Sequence, residues 1–293
     1  MQKIIDLHTH SSESDGSLSP AEVVYAAKKA GLCAVALTDH DTISGVEKAI
    51  IAAESVDIEL IPGIEISTEY CLPDTKENKR IHIIGLYINS KDAILNKRIE
   101  ELRAERIRRN KAIVDSLQKE GIPITIKDLV GENDDRIITR VNIAQFLYEH
   151  EYVETFNEAF HKYLDEGCPC YVKSSKMTPM EAVGLIKQAN GIAVLAHPMI
   201  YRMSEKQLRR LVNVLKETGL DGIEAYYSTY TYEDQEVVMN IAKEKRLLIS
   251  GGSDFHGNAK PNICIGTGTG NLSVPYEVLE RMKVVLNIKN KLC

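Results

Sequence analysis

Short runs of β-branched and other apolar residues recur along the chain. They alternate with stretches whose apolar positions fall three and four residues apart, the pattern of a parallel α/β fold. Seven runs read as strands: KIIDL, CAVALT, LIPGIEIS, IHIIGLYI, IAVLAH, GIEAYYS and LLISGGS. Amphipathic helical stretches separate most of them. One covers Ser19–Ala30, where a serine cap precedes Pro20, a residue suited to the first helical turn. Met180–Ala189 and Glu233–Lys245 read the same way. Seven strand-then-helix units predict an α/β barrel one unit short of the eightfold form.

The pattern breaks between residues 96 and 175, where the sequence turns helical and charged and no strand period intervenes before IAVLAH. The expected organisation is a barrel domain made of residues 1–95 and 176–293. Residues 96–175 form a helical insertion between the fourth and fifth strands, a candidate substrate lid. From Lys97 to Lys111 the insertion carries seven Lys/Arg and three Glu, a local surplus of +4 in a chain of net charge −6. The basic run Arg103, Arg106, Arg108, Arg109 and Lys111 reads first as a solvated helix face and second as a phosphate funnel.

Apolar residues make up 44% and charged residues 27%, ordinary values for a globular protein, and the acidic balance argues against a surface that grips nucleic acid throughout. No apolar run approaches the roughly 18 residues of a spanning helix, which excludes a membrane protein of that type. A strand beginning at residue 3 leaves no room for a signal peptide. The six cysteines contain no CxxC pair and no disulfide-framework density. The expected location is the cytoplasm, with thiols reduced.

The chemistry gathers at strand ends. The first strand leads into Asp6-Leu7-His8-Thr9-His10 and then Ser14-Asp15-Gly16. Residues i and i+2 of a strand point to one side, so His8 and His10 are placed to grip one ion together. The second strand ends in Thr38-Asp39-His40-Asp41 and the third in Gly63-Ile64-Glu65; the fourth starts with His82. The fifth ends in His197-Pro198 and the seventh in Ser253-Asp254-Phe255-His256-Gly257. A lone histidine or aspartate at such a place is more often a hydrogen-bonded structural residue. Here six of the eight histidines sit beside strands, and in an α/β barrel the carboxyl ends share one mouth. Gathering so many polar groups without a ligand is costly, so the set reads as a metal cluster. Mixed imidazole and carboxylate donors suit manganese, iron or zinc better than magnesium, and clustered ions suit phosphoryl chemistry.

In order along the chain, DLHTHSSESDG, LTDHDT, GIEIS, the strand with His82, LAHP and GSDFHG resemble the PHP (polymerase and histidinol phosphatase) family. The resemblance spans nearly all the chain outside the insertion. It implies a distorted seven-stranded (β/α)7 barrel with a helical insertion and two or three divalent ions at its mouth, manganese before iron or zinc. Carried over by motif, His8, His10, Glu65 and Asp254 hold the first ion. Glu65 bridges to a second, held also by His82 and His197, and Asp15, His40 and His256 hold the third. Glu65, His197 and Asp254 are the residues expected at the reacting centre. Many relatives have a histidine where Asp15 stands, and an aspartate shifts the third site toward harder ions.

The insertion resembles that of the branch containing 3′,5′-nucleoside bisphosphate phosphatases and 5′→3′ oligoribonucleases. Ile138-Thr139-Arg140-Val141-Asn142-Ile143-Ala144 and Tyr163-Leu164-Asp165-Glu166-Gly167, followed by Pro169, Tyr171 and Val172, carry that likeness. The branch usually reads R-x-H-I-A; Arg140 is kept, whereas Asn142 replaces the histidine and cannot carry a charge. Arg140 and Asn142 are the expected substrate contacts, with pairing of Arg140 to a surface carboxylate as the alternative.

The function so implied is a metal-dependent phosphoesterase. It would hydrolyse phosphate esters of small nucleotides, or the 5′ end of short oligonucleotides, by metal-activated hydroxide. The expected partner is that substrate, with no membrane and no obligate protein partner. Two alternatives stand beside it: a histidinol-phosphatase-like phosphomonoesterase acting on a non-nucleotide metabolite, and a non-catalytic metal-binding module. Hydrolysis of a C–N bond on a related barrel favours a lysine at a strand end, and none occupies these motifs. Tyr226 and Tyr227, after the sixth strand, read either as a surface for stacking a base or as packing.

Overall fold

A computed structural model describes residues 3–130, 138, 140–173 and 177–292; Thr139 and Cys293 lie outside them. The seven expected strands form and an eighth joins them. They are β1 (Ile4–Asp6), β2 (Ala34–Leu37), β3 (Glu59–Cys71), β4 (Asn78–Leu86), β5 (Ile192–Leu195), β6 (Gly222–Tyr227), β7 (Leu248–Gly252) and β8 (Val274–Pro275). Their order across one sheet is β7-β6-β5-β4-β3-β2-β1-β8.

The expectation of a parallel, seven-stranded sheet is corrected at two places. β4 runs antiparallel to both β3 and β5, because residues 72–77 turn the chain straight back and leave no length for a crossover helix. His82 accordingly stands within β4, opposite Ser67, rather than at its start. The second correction is β8, which pairs antiparallel with β1 at the sheet's outer edge, a place where Pro275 is tolerated. Backbone bonds then bring β1 to β7. Leu7 N–H donates to the Gly251 carbonyl at 3.1 Å, Asp254 N–H to His8 at 2.9 Å and His10 N–H to Phe255 at 2.9 Å. The result is a nearly closed mixed barrel. Gly252 is required at that seam, since a Cβ there would collide with the His8 backbone nitrogen and Cβ.

Among the described residues the α-helices are α1 (Pro20–Lys29), α2 (Val46–Val56), α3 (Ala93–Lys119), α4 (Ile126–Val130), α5 (Arg140–Glu149), α6 (Phe156–Ala159), α7 (Pro179–Gln188), α8 (Glu205–Thr218), α9 (Tyr232–Lys245) and α10 (Glu277–Leu292). Ser19 caps α1 through a capping box with Glu22, and Thr178 caps α7 with Glu181 in the same way. No helix of the described residues is long and apolar enough to cross a membrane.

β2 shows why its sequence is apolar without alternation. Ala34 and Ala36 face one buried cluster with Ile5, Ile61 and Val194, while Val35 and Leu37 face another with Val24 and Ala49. Both faces of the strand are covered, as in parallel barrels. The chain divides into two compact units, Met1–Asn96 with Lys176–Cys293, and Lys97–Ser175. The second unit has its own core around Ile113, Leu117, Ile143, Leu147 and Leu164. It includes a π-helical turn at Phe160–Leu164.

Candidate functional site

The seam between β1 and β7 and the antiparallel course of β4 gather the chemistry at one end of the barrel. His8 and His10 extend beyond β1 on the same side, with ring centroids 5.1 Å apart. Glu65 lies in β3 just past the register where β2 ends, and His40 bridges to it. Because β4 enters from the end where the parallel strands finish, His82, at its middle, comes within 3.0 Å of Glu65. His197 follows β5, and Asp254 and His256 follow β7.

Five imidazoles surround one carboxylate. Glu65 Oε2 lies 3.3 Å from His8 Nε2, 3.2 Å from His10 Nε2 and 3.0 Å from His40 Nδ1. Glu65 Oε1 lies 3.0 Å from both His82 Nδ1 and His197 Nε2. Asp254 Oδ1 faces His10 Nε2 at 3.3 Å, His256 Nδ1 at 3.5 Å and His8 Nε2 at 3.6 Å. Asp15 lies 3.2 Å from His256 Nε2, 3.7 Å from His10 Nδ1 and 3.8 Å from His40 Nε2. All nine residues expected around the ions thus come together.

Four groups bring one donor atom per residue within 4.8 Å of one another: His10, Asp15, His40 and His256; His8, Glu65 and His197; His8, His10 and Asp254; and His40, Glu65 and His82. Several of these donors are buried without a hydrogen-bond partner, namely His8 Nε2, both His10 nitrogens, His40 Nδ1, Glu65 Oε2 and His197 Nδ1. Buried polar atoms are rarely left so, and a constellation of lone pairs facing inward fits cations. The donor set therefore fits divalent metal sites of nitrogen and oxygen ligands. The floor, formed by His8, His10 and Glu65, is buried, whereas Asp15, His40 and His82 keep 38%, 19% and 21% of their side-chain surface exposed. Access is from their side.

Electrostatics follow from this crowding. Burial resists protonation of His10, but the Asp254 and Glu65 carboxylates that face it outweigh that and raise it to about 9. His8 is raised as well, because Glu224, Glu65 and Asp254 overcome the effect of burial. His40 is lowered to about 4 by burial. Burial opposes ionisation of Glu65 and Asp254, yet the surrounding cationic groups hold both carboxyls well below the usual range. Backbone strain collects here too, with Asp254 at φ 57°, Asp41 at φ 53° and His197 at φ 24°.

Several residues outside the expected ligand set complete the site. Buried Asp6 accepts from the N–H groups of Ser253 at 2.9 Å and Gly266 at 2.8 Å, tying β1 to the segments after β7. Asp39 accepts from Ser11 N–H and Oγ, each at 2.7 Å, and from Ser14 Oγ at 2.6 Å, which fixes the turn that carries Asp15. Glu224 lies fully buried in β6, 3.0 Å from His8 Nδ1, and accepts His197 N–H at 2.7 Å. Tyr227 is buried and donates to Asp254 Oδ2 at 2.8 Å, and Lys260 donates to the same oxygen at 2.7 Å. Tyr227 is therefore an anchor for Asp254 and offers no open face to a base.

Arg140 and Asn142 stand in the first turn of α5, in the other unit. Arg140 Nη1 donates to the Leu164 carbonyl at 3.0 Å, lies 4.0 Å from Asp165 and sits over the Phe160 ring at 5.9 Å, while its Nε is buried and unpartnered. Asn142 is half-buried. In the basic run, Arg103, Arg108 and Lys111 are exposed, and Arg109 Nε donates to the Val172 carbonyl at 3.0 Å.

The sequence profile of the PHP domain family matches residues 6–215. A 5′-3′ exoribonuclease of Haemophilus influenzae is 39% identical over 256 residues, which cover 87% of this chain and 91% of that protein. A 3′,5′-nucleoside bisphosphate phosphatase of Chromobacterium violaceum is 33% identical, with 86% and 87% covered. Among solved structures, a C. violaceum protein described as an amidohydrolase, with sulfate bound and no metal, aligns with a TM-score of 0.78 at 31% identity. The alignment covers 94% of this chain and 96% of that one.

Proposed function

This chain belongs to the PHP domain family, and we propose that it is a metal-dependent phosphoesterase of nucleotides, cleaving 3′,5′-nucleoside bisphosphates or the 5′ end of short oligoribonucleotides. The observation that carries this reading is the set of buried, unpartnered imidazole and carboxylate donors converging on Glu65. Relatives that match most of this chain act, by their names, on such substrates.

Two or three ions, manganese foremost, would be held by His8, His10, Asp15, His40, Glu65, His82, His197, Asp254 and His256. Such ions supply polarisation of the phosphate oxygens and activation of water at neutral pH. The protein supplies the rest. Glu65 presents one oxygen to each side of the cluster and so fixes the spacing of its donors. Tyr227 and Lys260 occupy Asp254 Oδ2 and leave Oδ1 turned inward. Asp15 and His40 line the open side, where an incoming phosphate meets the site first. Arg140, with a fork of donors suited to phosphate, and Asn142 are proposed as substrate contacts on the resemblance of their segment.

The test is a screen of 3′,5′-nucleoside bisphosphates and 5′-phosphorylated short oligoribonucleotides with Mn²⁺, recording phosphate release and product length. Release of phosphate from the bisphosphate, or stepwise shortening from the 5′ end, is expected. Hydrolysis confined to non-nucleotide monoesters would replace this reading with the histidinol-phosphate type. No turnover of any ester by a metal-loaded protein would leave a binding module.

A further inference from the structure

Asp6, Asp39 and Glu224 are among the buried carboxylates that stand outside the four groups of candidate ligands. Asp6 and Asp39 accept from backbone N–H groups and serine hydroxyls. Glu224 alone among them bonds an imidazole of the cluster. Its two oxygens are divided between two strands, with Oε1 3.0 Å from His8 Nδ1 and Oε2 accepting the main-chain N–H of His197 at 2.7 Å. On the far side of the same ring, His8 Nε2 points at Glu65 Oε2 and Asp254 Oδ1.

A neutral imidazole has one N–H and one lone pair, and an ionised carboxylate only accepts. Glu224 therefore requires the His8 proton on Nδ1 and leaves the lone pair on Nε2, the atom turned toward the ligand groups. The second oxygen acts on His197, whose backbone at φ 24°, ψ 55° is far from a relaxed conformation and needs a fixed partner. We infer that Glu224 is a positioning residue of the metal centre, setting the tautomer of His8 and the backbone of His197 so that both present lone pairs to the metal cluster. The inference rests on the metal-centre reading above, and it concerns an atom-level requirement for two acceptors at this position.

That requirement separates two nearly identical substitutions. In Glu224→Gln the amide has one accepting oxygen. The His197 N–H can only donate, so the amide oxygen must serve it. The amide NH₂ then faces His8 Nδ1, which has to accept, and the ring proton moves to Nε2 where an ion would bind. Glu224→Asp keeps two acceptors on a shorter arm and preserves the tautomer.

The experiment uses the full chain, stripped of metal and titrated with Zn²⁺, which is diamagnetic. Affinity is read by chelator competition, and the His8 ring proton by ¹⁵N–¹H spectra of the zinc-loaded protein. Wild type should carry the proton on Nδ1. Glu224→Gln should bind zinc about ten- to hundredfold more weakly, the range for losing such an outer partner, with Glu224→Asp recovering most of the loss. A wild-type His8 protonated on Nε2 overturns the inference however the variants fold. So does a Gln variant with zinc affinity within about threefold of wild type. Failure of wild type to take up zinc or manganese overturns the metal-centre reading instead, and the two failures are distinct.

Discussion

The phenol of Tyr227 and the ammonium of Lys260 meet on one oxygen of Asp254, at 2.8 and 2.7 Å, while the other oxygen faces three imidazoles. The carboxylate is thus held from outside by two donors that can stand in for one another. Tyr227→Phe keeps the ring's volume and removes one donor, and Lys260→Met removes the other. Each single variant should weaken binding of Mn²⁺ by less than about tenfold. The double variant should lose more than the product of the two, because the second loss leaves the oxygen without a partner. Chelator competition on the four proteins measures this cycle. Independent effects would mean that the two donors do not share the task.

Glu65 is the one carboxylate among the described residues that touches five imidazoles. Glu65→Gln retains its shape and removes a negative charge between the proposed cations. Metal content and turnover should fall together, with kcat/KM down at least about a hundredfold, beyond what loss of an outer partner costs. Metal analysis of the purified variant beside its turnover provides the check. Full metal content with lost activity would place Glu65 at the substrate and away from the ions.

The nine donors were legible in the sequence as polar interruptions of apolar runs, seven of them just past strand ends, where a barrel gathers its chemistry, and two, Glu65 and His82, inside β3 and β4. The direction of β4 was not read, although the short, helix-free link LPDTKEN between Cys71 and Asn78 is the signal for a hairpin. Glu224, and the contact of Tyr227 with Asp254, were hidden for a different reason. Glu224 and Tyr227 stand an odd number of residues apart, so a regular strand would point them to opposite faces. The register of β6 against β7 shifts between Glu224 and Tyr226, and this irregularity brings both side chains to the site. A bulge leaves no mark in the pattern of apolar residues. A charged residue inside the apolar stretch GIEAYY was nonetheless a visible anomaly, since a buried carboxylate needs partners.

The crowding of charge predicts how the metal-free protein responds to pH. His10 at about 9 is raised above the ~6.5 of an unfolded histidine. Its contribution to stability is fully present below pH ~6.5 and is lost as pH rises through about 9. His8, also raised, acts with the same sign. His40, lowered to about 4 by burial, opposes folding as pH falls from ~6.5 toward 4. Chelated protein should therefore be most stable near pH 6.5 and lose Tm between 6.5 and 9. With Mn²⁺ in excess the loss should be reduced or reversed, because ions replace the protons and bind more tightly as pH rises. Thermal melts with and without chelator across that window decide it. A Tm of chelated protein that climbs from pH 6.5 to 9 contradicts the assignment.

Arg140 tests whether the helical insertion takes part in substrate recognition. Its guanidinium is engaged with the Leu164 carbonyl through Nη1, which leaves donors of the fork for a phosphate. If Arg140 binds the second phosphate of a bisphosphate, Arg140→Ala removes roughly 1.5–3 kcal/mol of charge-assisted bonding. The preference for a 3′,5′-nucleoside bisphosphate over p-nitrophenyl phosphate, measured as the ratio of their kcat/KM values, should then fall about ten- to hundredfold. Arg140→Lys should recover only part of that ratio, because a point charge does not reproduce the fork. Metal content should be unchanged. The competing role is structural, since Arg140 also packs on Phe160 and pins the end of the π-helical turn. A structural role predicts a lower Tm and equal losses on both esters. The ratio of the two substrates, read beside the melting temperature, separates recognition from support.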